Sequence, residues 1–299
     1  MRVRAVMIRI LQQLGHDKRT IALMIIAPIF VLTLMTFIFG GTTYHPKIGI
    51  VNAPLSFVNK LEGSDPSKSQ AVIMLTQNAM QQLIPTAKPD ITYIYGYENM
   101  SAFDNFGPIL IGFFVFFFVF LISGVAFLSE RNTGTLERVL ATPIRRWEIV
   151  MGYVLGFGTF TILQSALIAW YSIFILNIMM VGSFALVLLI TILTAMVGLT
   201  IGTFISAFAN NELQMIQFIP IVVVPQIFFS GLFDLSTMAP WLQAIGRLTP
   251  LWYGADALKN IMIRGKGWNY IAMDVVILVA TCLFFMIANI VALKKHRKI

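Results

Sequence analysis

The sequence predicts an all-α polytopic membrane protein with six transmembrane helices, and three observations carry that reading. Hydrophobic residues make up 58% of the chain and charged residues 11%, and the mean hydropathy is +0.83. Soluble domains run roughly 45–50% apolar and about 25% charged, so lipid is the better solvent for this chain. Six apolar runs each approach the roughly 20 residues a helix needs to cross the hydrocarbon. Finally, the cations behind the net charge of +8 cluster at the edges of those runs. That placement sets membrane orientation and argues against nucleic acid as a partner.

Residues 1–19 precede the first run. Val3, Val6, Met7, Ile10, Leu11 and Leu14 recur at helical spacing, with Arg2, Arg4 and Arg9 on other faces. This pattern predicts an amphipathic helix in the cytoplasmic interface, its cations toward lipid headgroups. The following run is longer than the apolar core of a signal peptide, and no A-x-A site follows it.

The spans are expected at Ile21 to Phe39, Gly107 to Leu128, Val150 to Leu176, Phe184 to Phe208, Met215 to Phe233 and Tyr270 to Leu293. Pro28, Pro220 and Pro225 fall inside two of them and read as kinks whose freed carbonyls neighbouring helices can satisfy. The first transmembrane unit is 20–40, and spans two to five occupy 107–233. The last span and its basic tail occupy 270–299. Arg2, Arg4, Arg9, Lys18 and Arg19, then Arg131, Arg138, Arg145 and Arg146, then Lys294, Lys295, Arg297 and Lys298 fall on one side of an even number of spans. The positive-inside rule makes that side cytoplasmic, with both termini inside the cell membrane.

Two outer segments remain. Over 41–106 the pattern is mixed: strand-like Lys47 to Asn52 and Ile91 to Tyr95 enclose a helical stretch from Ala71 to Leu83, predicting a small α/β extracytoplasmic cap. Over 234–269 the apolar pieces around Trp241, Trp252 and Ile261 are too short to span and too apolar for a solvated loop. They predict re-entrant or interfacial helices.

The chain lacks G-x-x-x-x-G-K-[ST], H-E-x-x-H and G-x-S-x-G, so no phosphate loop, zinc-protease helix or serine-hydrolase elbow is present. No catalytic, cofactor or metal residues are proposed. His16, His45 and His296 are far apart, and Cys282 is the single cysteine, which excludes an intrachain disulfide. The spans carry almost no ionisable groups at depth, against an ion-coupled mechanism. They offer instead phenylalanine and amide side chains. Phe113, Phe117 and Phe120 in the second span, with Gln217, Phe218 and Phe228 in the fifth, are candidate lining for a pathway that takes large apolar or amphipathic compounds. Lipid-facing or packing roles account for the same residues equally well.

The most informative stretch lies between the second and third spans, at 129–148. Each charge there would cost about 2.5–3.5 kcal/mol at a helix centre, so the stretch belongs outside the hydrocarbon. Thr133 and Thr135 flank Gly134, and Leu136 to Leu140 form a short amphipathic run closed by Pro143. This reads as a docking element at the membrane surface.

Glu130 to Arg138, with Ala141 to Ile144 and the outer Pro250 to Tyr253, Asp256 to Lys259 and Ile263 to Gly265, resembles the permeases of type-2 ATP-binding-cassette exporters over nearly the whole length. The resemblance implies that the loop is a coupling element resting in a cleft of a separate ATPase. Glu130 and Arg131 would anchor the end of the span, and Thr133, Gly134, Thr135, Leu136, Glu137 and Arg138 would meet the nucleotide-binding subunit. It implies two such ATPases, which would hold ATP and magnesium, and a second permease copy or paralogue. Membrane lipids surround the assembly, and a drug-like, antibiotic or lipid molecule is the exported cargo. The outer segment is shorter than in the larger drug-efflux members. Two other readings compete: a stand-alone secondary transporter, which would show repeated halves with matching broken helices, and an intramembrane lipid-processing enzyme, which would need acids, histidines or a nucleophile at matched depth. The sequence supplies neither pattern.

Overall fold

The computed structural model describes residues 2–39, 101–142, 144–233 and 238–295. In chain order the helices are α1 (Arg2–His16), α2 (Lys18–Phe39), α3 (Ala102–Asn132), α4 (Thr135–Leu140), α5 (Arg146–Phe174), α6 (Phe184–Ser206), α7 (Glu212–Ile227, continued by a π-helical turn Phe228–Leu232), α8 (Pro240–Gly246), α9 (Pro250–Met262) and α10 (Trp268–Lys295). Six of them are long and apolar enough to cross a membrane: Thr20–Phe39, Phe103–Asn132, Arg146–Phe174, Phe184–Ser206, Glu212–Leu232 and Trp268–Leu293. The cap expected over 41–106 lies outside the described residues up to position 100.

The ends of the second span differ most from the hydropathy reading. α3 begins at Ala102 because Ser101 caps it: the Ser101 hydroxyl accepts from the Asp104 amide at 3.1 Å, and the Asp104 carboxylate accepts from the Ser101 amide at 3.1 Å. The other Asp104 oxygen accepts from the Met179 amide at 3.0 Å, tying the helix start to the loop after α5. A reciprocal cap of this kind satisfies donors that the first turn cannot pair internally. At the far end α3 continues to Asn132. Its 31 residues give a rod of about 46 Å, longer than the roughly 30 Å hydrocarbon layer.

α3 and α6 form the centre of the bundle. Gly198 and Gly202 sit one turn apart on α6, where an added Cβ would lie 2.6 Å from the Phe116 carbonyl oxygen and 2.4 Å from that of Phe120. Small residues at i and i+4 let two helix backbones approach closely, which is how apolar helices associate where no hydrophobic effect separates them from lipid. Phe116 and Phe120 are fully buried beside this seam, their rings 6.2 Å apart and nearly parallel. α10 is fastened to α6 by Asn289, whose amide donates to the Thr200 carbonyl at 3.0 Å and to the Thr203 hydroxyl at 3.2 Å. α2 is fastened to α5 by Thr33 and Tyr171, whose hydroxyls lie 2.8 Å apart. The remaining surfaces of α2 and α10 are exposed and apolar, Phe30, Phe37, Phe284 and Ile287 among them, as spans facing lipid require.

The glycine device recurs between α1 and α5. A Cβ on Gly152 would meet Val6 Cβ at 2.6 Å, and one on Gly156 would meet Ile10 Cβ at 2.8 Å. Val6, Ile10 and Leu14 are buried, so the apolar stripe of α1 packs against protein, and Arg2, Arg4, Gln12 and Gln13 remain exposed.

At the other end of the bundle, Gln226 of α7 accepts from the Leu251 amide at 3.1 Å and Lys259 of α9 donates to the Gly231 carbonyl at 3.1 Å. Gly231 has φ 87°, a conformation that glycine adopts without Cβ strain. The Val181 amide donates to the Met262 carbonyl at 2.9 Å, seating the end of α9 beside the α5–α6 loop.

Candidate functional site

The candidate site is built where α3 ends. Ser129, Glu130 and Arg131 remain helical, and the chain then turns sharply into α4. Thr133 makes that turn: its hydroxyl donates to the Ser129 carbonyl at 2.9 Å and lies 3.0 Å from the Thr135 hydroxyl. Gly134 has φ 72° and ψ 5°, in the left-handed region that glycine adopts freely and most residues with a Cβ avoid. No atom lies within 4 Å of a Cβ placed there, so backbone conformation and not space selects glycine.

α4 is a single amphipathic turn and a half. Leu136 is 1% exposed and inserts into the core, and Val139 and Leu140 pack against it. Glu137 and Arg138 are exposed on the opposite side. One anchor and two outward charges leave α4 a face that a soluble partner could engage.

Behind α4 lies an ionic lock. Glu130 is 3% exposed and accepts from the Arg9 guanidinium of α1 and from the Tyr153 hydroxyl of α5. A buried carboxylate without partners is prohibitively costly; removing one partner of a buried pair typically costs about 3–5 kcal/mol. The next residue, Arg131, faces α6. Its guanidinium donates to the carbonyls of Ser206 and Ala207, both at 3.0 Å, and also to that of Ala209. These carbonyls lie at and just beyond the end of α6, where a helix cannot pair all of its own acceptors, and a cation there also complements the helix dipole. Two adjacent residues therefore join the base of α4 to α1, α5 and α6. The loop's return is fixed by Glu148, which accepts from the Arg145 amide at 2.7 Å and lies 3.9 Å from the Arg2 guanidinium.

The sequence-selected pathway residues are not brought together as one set. Phe113 and Phe117 stack 5.8 Å apart on a half-buried face of α3. Phe120 is fully buried against α6 and presents no surface in this conformation. On α7, Gln217 is exposed, Phe218 packs on the core, and Phe228 is exposed with its ring 4.7 Å from that of Phe233. A cavity of about 510 Å³ lies closer to the α4 end, between α1, α2, α3 and α7, and is lined by Leu23, Leu121, Val125, Ser129, Glu212 and Ile216 among others. Its residues come from four helices, so no local pattern announces it. Arg9 and Tyr153 were likewise absent from the sequence-selected set; nothing in their neighbourhood distinguishes them from a surface cation and an interfacial tyrosine. Among the described residues no group of three or more His, Cys, Asp or Glu converges.

Comparison with known proteins agrees with this architecture. Residues 1–263 match the family described as ABC-2 type transporter. The chain is 29% identical over 78% of its length to ABC transporter G family member 20 of Dictyostelium discoideum, covering 31% of that protein. It is 24% identical over 54% of its length to the probable multidrug ABC transporter permease YbhR of Escherichia coli, covering 45% of it. To the putative transport permease ycf38 of Porphyra purpurea it is 28% identical over 50% of its length, covering 52% of that protein. The chain thus spans about half the length, or less, of these relatives. With six membrane-crossing helices and a match over most of its length, the chain is a multi-pass membrane protein of the ABC-2 type transporter family.

Proposed function

We propose that this chain is the membrane subunit of an ATP-driven exporter, moving drug-like, antibiotic or lipid-type compounds out of the cytoplasm while a separate ATPase hydrolyses the nucleotide. The observation that carries this reading is α4: Leu136 is anchored in the core and Glu137 and Arg138 face outward, at the end of a helix locked by Glu130 and Arg131 to three others. An ATPase closing on nucleotide would push on that face, at Thr133 to Arg138. Because α4 is tied to α1, α5 and α6, the push would tilt the bundle as a body and exchange an inward-open for an outward-open pathway, a switch between discrete arrangements. The family membership and the relatives' names, a multidrug ABC permease among them, support this role.

In this reading the α4 end is cytoplasmic with both chain termini, in the cell membrane, because the cations concentrate there. Two permease copies, or this chain and a paralogue, would enclose the pathway over two ATPases. The half-buried faces of α3 and α7, with Phe113 and Phe117, would look toward it. α8 and α9 would form a re-entrant hairpin, consistent with the hydrogen bond from Leu251 to Gln226 within the α7 span. ATP and magnesium would bind the partner, and this chain would carry out no covalent chemistry.

Reconstitution tests the proposal. Vesicles holding the permease and its partner P-loop ATPase should accumulate cargo only with ATP, and Glu137→Arg should abolish that accumulation without reducing membrane insertion. Transport by the permease without an ATPase would overturn the proposal.

A further inference from the structure

Asp274 differs from the acids at the two ends of α3. Asp104 and Glu130 accept from named donors. Asp274 stands about 9 Å along α10 from Trp268, within the Trp268–Leu293 span, and is 7% exposed. Among the described residues it accepts no hydrogen bond and makes no ion pair. The charged group that acts on it is a second carboxylate, Asp256 of α9, and α9 packs along α10.

Asp256 is held in place by its own helix. One of its oxygens accepts from the Asn260 side-chain amide at 2.8 Å, and the Asn260 carbonyl oxygen accepts from the Arg264 guanidinium at 2.8 Å. Asn260 is buried, and this row of every fourth residue fixes which way its amide points. On the same helix Lys259 donates to the Gly231 carbonyl at 3.1 Å. α6, which also packs on α10, carries no Asp, Glu, Lys, Arg or His, and α5 meets α10 around Val154 and Leu293. Tyr270, one turn before Asp274, is exposed with Lys266 over its ring. Two carboxylates within electrostatic reach in a low-dielectric setting, one of them without a donor, repel each other. One small cation shared between their oxygens turns that repulsion into a tie.

We infer that Asp256 and Asp274 form a binding site for one small cation, a proton or a sodium ion, that clamps α9 to α10. A proton would sit on one carboxyl and be donated to the other; a sodium ion would be held by the same oxygens. α9 is already joined to α7 through Gln226 and Gly231, so the cation would complete its attachment to the bundle. The pair lies at the end of the bundle opposite α4, the outer side in the exporter reading. The inference rests on that reading only for which solution supplies the cation; binding itself needs no ATPase.

Two measurements on the purified permease in lipid nanodiscs test the site and separate the two cations. In sodium-free choline chloride at neutral pH, a bound proton gives a protonated-carboxyl C=O band in the infrared that is lost on raising the pH. A bound sodium ion raises the unfolding midpoint by several degrees, saturably, in sodium chloride over choline chloride at equal ionic strength. A sodium-specific rise identifies sodium, and the band without such a rise identifies the proton; either supports the site. Asp274→Asn should abolish whichever signal the wild type shows. Asp256→Asn should move the proton or sodium concentration at its half-point by at least about threefold, because the second carboxylate is part of the site. Neither signal in the wild type, a signal that survives in Asp274→Asn, or a half-point unmoved in Asp256→Asn would overturn the assignment. The wild-type result needs no variant and so stands whatever the variants do to folding. Absence of both signals with intact ATP-driven transport overturns this inference alone, and a signal without ATP-driven transport overturns the exporter reading alone.

Discussion

Arg9 and Glu130 lie 121 residues apart and meet as a half-buried ion pair, the carboxylate buried and the guanidinium partly exposed, with Tyr153 as the second donor to the same carboxylate oxygen. The first helix of the chain is thereby fixed to the residue from which α4 departs. Glu130→Ala should destabilise the purified permease by about 1–3 kcal/mol, since it leaves the buried Tyr153 hydroxyl unpaired while the partly exposed Arg9 can reach water, read by thermal or denaturant unfolding in detergent, and Tyr153→Phe by about 1–3 kcal/mol because one donor is lost from a charged acceptor. Unchanged unfolding in Glu130→Ala would show that the pair is not formed.

The glycine groove of α5 sets how closely α1 can approach. Gly156→Val places a branched side chain where a Cβ alone would lie 2.8 Å from Ile10 Cβ. Overpacking of this kind costs about 1–3 kcal/mol, and the expected outcome is undocking of α1, seen as faster proteolysis within residues 2–16. Gly15→Ala is the control, since no atom lies within 4 Å of the added carbon and α1 should stay protected.

Gly134 and Leu136 should fail in different ways. Gly134→Ala forces a Cβ into the left-handed region at a cost of about 1–2 kcal/mol, and Gly134→Asn, which tolerates that region, should be milder. Both should alter the angle of α4 and lower ATP-coupled transport. Leu136→Ala instead leaves a cavity and should lower stability by about 2–5 kcal/mol, whereas Glu137→Arg, on the exposed face, should leave unfolding unchanged and affect coupling only.

Orientation can be read chemically. In a Cys282→Ala background, a cysteine at Ser67 should react in intact cells with an impermeant thiol reagent, and one at Thr133 should react only after the membrane is opened. The reverse pattern would invert the topology.

Much of this was legible in the sequence, and the failures are instructive. Apolar runs located all six spans because each is apolar on nearly every face. The helix α3 runs beyond the apolar stretch Gly107 to Leu128 at both ends, because Asp104, Glu130 and Arg131 lie within it and pair with groups 75 or more residues away in sequence; hydropathy alone does not show such long-range partners. Periodicity found the apolar stripe of α1 but not its partner; the signal available was the Gly152 and Gly156 spacing on α5. The loop at 129–148 could be recognised as a unit because its turn and helix are local. The cavity could not, since Asp17, Leu121 and Glu212 become neighbours only when four helices pack.

In the proposed transport cycle the Arg9–Glu130 lock carries the motion of α4 into the bundle. The direct measurement is the double variant Arg9→Met with Glu130→Gln, reconstituted with its ATPase. Removing both charges together spares the protein a stranded buried ion, so folding should survive while the ionic tie is gone. The expected result is ATP hydrolysis within about twofold of wild type and transport reduced by about tenfold, a loss of about 1.4 kcal/mol in coupling. Wild-type transport in that variant, at wild-type hydrolysis, would contradict the claim.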